Sequence, residues 1–262
     1  MKKSVRLLLV QGIAVLSVLA TAALASAGTS LTANQALSTM LSGNSPYIAG
    51  NFAALSKNAQ PGIRTTLAAG QSPYAIVLGC SDSRSSPEII FDKGLGELFP
   101  IRVAGNIIAD HEIGSIEYGV EHLCAPLVVV LGHTKCGAVT AAVDVKLGTI
   151  NPADLSPGIL SLVTTLLPPV NIAYGVVPAL PADTYRARLI QASVDENVRY
   201  TAADLLAKSL IVREAVELGM PAACLTTALP TPGKLLPGTK ARLVGAEYDV
   251  TTGKVLLIPL VP

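Results

Sequence analysis

The chain has no tryptophan, and aromatic residues make up only 4% of it. Proteins that hold single strands of nucleic acid stack bases on aromatic side chains, so this scarcity argues against that class. The charges nearly cancel as well: 19 Lys and Arg against 18 Asp and Glu leave a formal net charge of +1. No basic field exists to attract a phosphate backbone or an anionic membrane surface. No internal repeat is visible. What the chain has in quantity is apolar side chains, 50% of its residues. A length of 262 residues fits one α/β domain with a large core, preceded by a leader.

The leader is residues 1–27. Lys2, Lys3 and Arg6 form a positive start, Leu7 to Leu24 carries no charge, and Ala25-Ser26-Ala27 supplies small residues for cleavage. This is the pattern of a secretory signal peptide. The expected mature chain is a single domain, residues 28–262, periplasmic or secreted and without a stable membrane anchor. A retained anchor is the competing reading, since the apolar run is nearly long enough to span a bilayer.

Export bears on the four cysteines, Cys80, Cys124, Cys136 and Cys224. Oxidising compartments favour disulfides, and four cysteines allow three pairings. A domain rich in core residues does not need such staples, so metal ligation stays open for some of them. For Cys124 and Cys224, burial as core thiols is the preferred expectation; pairing depends on Cα separation.

Residues 31–69 read as a helical arm, with Asn34 as a cap and a break at Gly43-Asn44-Ser45-Pro46. A second short helix is expected from Asn51 to Lys57. Tyr74 to Gly79 is a continuous apolar run, as in a strand buried on both faces. Leu98 to Ala104 is a second candidate strand, and Leu127 to Leu131 is the clearest. Helices are expected over 111–123, Gly137–Val145, Tyr185–Lys208 and Leu210–Leu218. Residues 148–183 read as a long connection holding a short helix, Ile159 to Leu167. Leu229 to Gly238 reads as a loop, and Arg242–Val250 with Lys254–Ile258 as a hairpin. Strands alternating with helices argue an α/β fold, a mostly parallel central sheet with flanking helices.

Two segments carry chemistry. Cys80-Ser81-Asp82-Ser83-Arg84 follows one strand directly, and Gly132-His133-Thr134-Lys135-Cys136-Gly137 follows another. Open parallel sheets form their sites just past the carboxyl ends of strands, so Cys80, His133 and Cys136 reach one edge. Cys, His and Cys suit zinc, which prefers N and S donors and keeps a fourth position for water or substrate in catalytic sites. A helix start behind Cys136 favours its thiolate. Asp82 is placed to bind a metal or take a proton from its water, and Arg84 to keep Asp82 ionised. Ordinary core thiols and a weak surface ion pair remain the plain alternatives.

The chain resembles the β-class carbonic anhydrases. The run Gly70 to Arg84 resembles their first zinc segment. Pro87-Glu88, Leu98 to Asn106, Ser115-Ile116-Glu117-Tyr118 and Gly132 to Gly137 follow in order, and Leu243 to Asp249 with Thr252-Gly253 closes the match. The resemblance implies the β-carbonic anhydrase fold, one Zn2+ per chain on Cys80, His133 and Cys136, and Asp82 with Arg84 as a catalytic dyad. In one conformational class of the family the aspartate occupies the fourth zinc site; in the other the arginine holds it off. Gln71, Phe99, Ala104, Tyr118 and Gly137 match substrate-pocket positions of plant-like members. Gln71 and the Gly137 amide would meet the substrate, with Phe99 and Ala104 as an apolar wall. The implied reaction is reversible hydration of carbon dioxide to bicarbonate by a zinc-bound hydroxide, in a homodimer or homotetramer. Zinc lowers the pKa of bound water from 15.7 to roughly 7 where three histidines hold it, carbonic anhydrase being the type case. Two thiolates cancel more of its charge, which makes a helping dyad useful.

Two departures stand out. Ser85-Ser86 replaces the usual Val-Pro, and Val77 stands where bicarbonate-regulated members have tryptophan. His111 and His122 are proton-shuttle candidates by residue type only and read as surface residues. The alternative readings are a carbonyl sulfide or carbon disulfide hydrolase on the same fold, and a non-catalytic zinc-binding structural protein.

Overall fold

Among the described residues five strands form one sheet, in the spatial order Leu98–Arg102, Ala75–Gly79, Leu127–His133, Arg242–Tyr248 and Val255–Ile258, and the apolar runs explain most of it. The computed structural model describes residues 28–260 except 55–56, 58–59, 226–234 and 236. The expected leader, part of the Asn51–Lys57 helix and most of the Leu229–Gly238 loop lie outside the described residues.

The arm opens with α1 (Ala33–Ser42) and α2 (Asn44–Ile48). The α1 cap is Thr32 rather than Asn34: Thr32 and Gln35 form a reciprocal capping box. Gly43 does not end the arm, because its backbone stays right-handed helical and α2 starts at the next residue. Asn44 then ties the arm down. Its Nδ2 donates to Ile90 O and Gly253 O, at 3.1 and 2.9 Å. Helix α3 (Pro61–Leu67) precedes β1 (Ala75–Gly79), and α4 (Pro87–Ile90) precedes β2 (Leu98–Arg102). Next come α5 (Asp110–Glu121), β3 (Leu127–His133), α6 (Gly137–Lys146), α7 (Pro157–Val176), α8 (Ala182–Lys208), α9 (Leu210–Glu217), β4 (Arg242–Tyr248) and β5 (Val255–Ile258).

Strands β2, β1, β3 and β4 are parallel, and only β5 runs antiparallel. Every residue of β1 and β3 is buried, as expected for strands covered on both faces. Val77, Val129 and Leu131 face a core completed by Ala36, Leu37 and Met40 of α1. Ile76, Leu78, Val128 and Val130 face the opposite core with Ile116, Val198 and Leu205. Helix α8 crosses β3 and β4 closely. A Cβ on Gly132 would lie 2.7 Å from Val198, and one on Gly245 would lie 2.9 Å from it.

Two expectations change. Residues 157–176 form a 20-residue helix rather than a short helix in a long connection, and it runs through Pro168 and Pro169. Val163, Leu166, Pro169, Val170 and Ala173 are buried at helical spacing. Packing of that stripe offsets the hydrogen bonds that the prolines cannot make. Cys124 and Cys224 are buried, as expected, but they are bonded: their Cα atoms are 5.3 Å apart and the bridge spans 100 positions.

Candidate metal centre

Adjacent parallel strands bring the ligand set together. Gly79 pairs with Leu131 in register, so the carboxyl ends of β1 and β3 lie side by side. Cys80 is the residue after β1, His133 is the last of β3, and Cys136 is the N-cap of α6. The donor atoms of these three residues all lie within 4.8 Å of one another. The sulfurs are 4.0 Å apart, and both cysteines are free. All three side chains are buried, His133 to 1% exposure.

These residues fit a soft divalent metal. His133 Nδ1 sits 3.0 Å from Thr134 O, which sets the tautomer with the proton on Nδ1. His133 Nε2 is then a bare acceptor; it is buried and has no hydrogen-bond partner. A buried polar atom left unpaired is costly, and a metal held with two sulfurs satisfies it. The thiolate form is prepared too. Gly105 N–H and Asp82 N–H reach Cys80 Sγ at 3.2 and 3.4 Å. The hydrogen bond from Cys136 acts first on Cys80, against burial, and these amides help lower its pKa to about 4. Cys136 is shifted upward because it holds the shared proton for Cys80, with burial adding to that.

Asp82 stands beside the cluster. Arg84 donates through Nε to Oδ1 at 2.9 Å and through Nη2 to Oδ2 at 2.6 Å, and its backbone N–H adds a bond at 2.9 Å. The Arg84 side chain, ahead of its backbone bond, holds the Asp82 carboxyl well below the usual carboxylate range. Asp82 Oδ2 is 3.9 Å from His133 Nε2, so the carboxylate faces the ligands while the arginine grips it. Arg84 Nη2 also reaches Lys135 O at 3.3 Å and joins the two loops.

The expected pocket residues divide into two groups. Gly137 opens α6, and Ala104 begins the short turn Ala104–Asn106 behind Cys80. Phe99 and Tyr118 meet each other, with ring centroids 6.2 Å apart, but not the cluster of their own chain. Phe99 pairs with Ile76, three positions before the end of β1, which is about 10 Å along a strand. Tyr118 is 43% exposed on α5. Gln71 is exposed and precedes β1, at the opposite end from Cys80. His111 is exposed, and the His122 side chain is 60% exposed beside Glu121.

Sequence reasoning missed three contributors. Arg102 donates to Cys80 O at 2.9 Å and to Asp82 O at 2.6 Å. Gly105 supplies the amide on Cys80. Asn197 donates from α8 to Gly105 O at 2.7 Å. Arg102 and Gly105 lie within the Leu98–Asn106 segment that drew attention, whereas no pattern in the α8 sequence marks Asn197.

Comparison with known proteins agrees with this geometry. The family profile described as carbonic anhydrase matches residues 75–223. Carbonic anhydrase 2 of Mycobacterium tuberculosis is 38% identical over 216 residues, 82% of this chain and 87% of that protein. Among solved structures, the β-carbonic anhydrase CafA of Aspergillus fumigatus is 28% identical with a TM-score of 0.57, covering 86% of this chain and 92% of that one. The Coccomyxa β-carbonic anhydrase is 25% identical with a TM-score of 0.58, covering 74% of this chain and 75% of that one. The chain therefore belongs to the β-class carbonic anhydrase family.

Proposed function

We propose that the chain hydrates carbon dioxide reversibly at a zinc ion held by Cys80, His133 and Cys136. One observation carries this reading: three buried donors within 4.8 Å, one of them the unpartnered His133 Nε2, beside a carboxylate that faces them. Zinc, when bound, supplies Lewis acidity that makes a coordinated water acidic. The chain's own groups do the rest. Asp82 Oδ2 accepts a hydrogen bond from water at the cluster and orients it. Arg84 keeps Asp82 ionised and at a fixed angle through two side-chain bonds.

Carbon dioxide needs an apolar surface, and the partly exposed Phe99–Tyr118 edge lies away from its own cluster. We infer a two-fold dimer in which each copy lends this edge, with Gln71, to the cluster of the other. Such an isologous contact uses the same surface twice. We also infer an exported protein. The leader pattern at residues 1–27 and the Cys124–Cys224 bridge support that reading, since disulfides persist in oxidising compartments.

The test is zinc content and stopped-flow carbon dioxide hydration for the purified chain beside Cys136→Ala. One zinc per chain with fast hydration, both lost in the variant, is the expected result. Zinc without hydration between pH 6 and pH 9 would contradict the proposed reaction.

A further inference from the structure

We propose that Asn197 is a positioning residue for Cys80, acting through the backbone of Gly105. The inference rests on reading Cys80 as a metal ligand. The chain of contacts is short. Asn197, 2% exposed on α8, donates from Nδ2 to Gly105 O at 2.7 Å. The Gly105 N–H then donates to Cys80 Sγ at 3.2 Å.

The turn between them does not hold itself. Gly105 has a positive φ of 76°, which glycine reaches freely and can as freely leave, and Asn106 has one of 43°, which a non-glycine residue keeps only where the surroundings over-determine it. The surroundings act in two ways. A Cβ on Gly105 would sit 3.0 Å from Leu166 and 3.3 Å from Ala138, so α6 and α7 wall the turn in sterically. Asn197 adds direction. The buried Gly105 carbonyl finds this donor in one orientation, and losing it leaves the carbonyl unpaired at a cost. The carbonyl and the N–H of Gly105 lie in the two peptide planes that meet at its Cα, so anchoring the carbonyl fixes ψ there and keeps the residue from swinging its N–H away from the sulfur. A hydrogen bond to the charged form stabilises it, here the Cys80 thiolate. Groups that support metal ligands in this way typically change metal affinity or activity by 10- to 100-fold.

A merely structural asparagine would affect stability and nothing else, so the test reads the sulfur. Asn197→Leu removes the donor at similar volume, and Asn197→Ser leaves a hydroxyl too short to reach Gly105 O. Leu205→Ala, two turns further along α8 and fully buried, is the stability control. Zinc Kd is measured on the full chain by chelator competition, and the thiolate-to-metal charge-transfer band is recorded after cobalt substitution.

Both Asn197 variants should weaken zinc binding about 10- to 100-fold. Both should move the band to longer wavelength, because a thiolate without its N–H donor gives up an electron more easily. Leu205→Ala should lower Tm and leave Kd and band unchanged. Wild-type Kd and band in folded Asn197 variants would overturn the assignment, and so would equal shifts in Leu205→Ala. A wild-type chain that takes up neither zinc nor cobalt would overturn the metal-centre reading itself, a separate and recognisable failure.

Discussion

Cys124 and Cys224 are bonded across a Cα separation of 5.3 Å, whereas Cys80 and Cys136 stay free with sulfurs 4.0 Å apart. All four are buried. The difference lies in what surrounds each pair. Two backbone amides point at Cys80 Sγ and a helix starts directly behind Cys136, both of which favour a charged sulfur, and the bare His133 Nε2 between them favours a metal over a disulfide. Cys124 lies three residues past α5 in a left-handed conformation with φ of 57°, opposite Cys224 on the short 3-10 turn Ala222–Cys224, and the two sulfurs are bonded to each other. Burial alone therefore does not decide the fate of a cysteine; neighbouring donors and the spacing that the backbone imposes do.

The strongest way to break this comparison is to remove a ligand. Cys80→Ser or Cys136→Ala should abolish zinc binding and hydration while leaving the Cys124–Cys224 bridge intact, as read by metal analysis, stopped-flow assay and thiol titration. Next in size, Asp82→Asn should retain one zinc yet lower kcat about 100-fold, the lower end for losing a positioned proton-handling group. Breaking the other pair should act on stability instead. Cys124→Ser with Cys224→Ser opens a bridge of sequence separation 100. Loop entropy puts the loss near 4.7 kcal/mol, read by denaturant titration, with kcat per folded molecule unchanged.

The smallest expected effect touches neither pair. Burial raises the Glu247 carboxyl to about 7; Gln191 opposes the shift and the neighbouring Asp195 and Asp249 reinforce it. Gln191 donates to both Glu247 and Asp195. A raised carboxyl favours the protonated fold, so its contribution is present below the unfolded value, about 4.3, and is lost as pH rises toward 7. Glu247→Gln should therefore raise Tm at pH 8 relative to wild type and remove that part of the pH slope. A variant Tm difference independent of pH would contradict this.

Much of the site was legible because its chemistry is local. Cys80 to Arg84 and Gly132 to Gly137 are short segments at strand ends, and the apolar runs before them fix where those ends fall. The parallel order followed from strands alternating with helices. The misses share a physical cause: they depend on long-range contact. Pro168 and Pro169 signal a break locally, yet the stripe from Val163 to Ala173 has a core to cover. The Cys124–Cys224 pairing is a distance between positions 100 apart. Asn197 is a polar residue in a long helix, and only packing shows that Gly105 O is its partner. Thr32, by contrast, was legible: Thr-x-x-Gln is a capping signature, and the choice of Asn34 passed over it.

The most direct test of the central claim is zinc K-edge X-ray absorption on the purified protein. Two sulfur scatterers at about 2.3 Å and two nitrogen or oxygen scatterers at about 2.0–2.2 Å are the expected first shell, from Cys80, Cys136, His133 and one oxygen donor. A shell without sulfur, or one with four sulfurs, would contradict the separation of the four cysteines into a metal-binding pair and a disulfide pair.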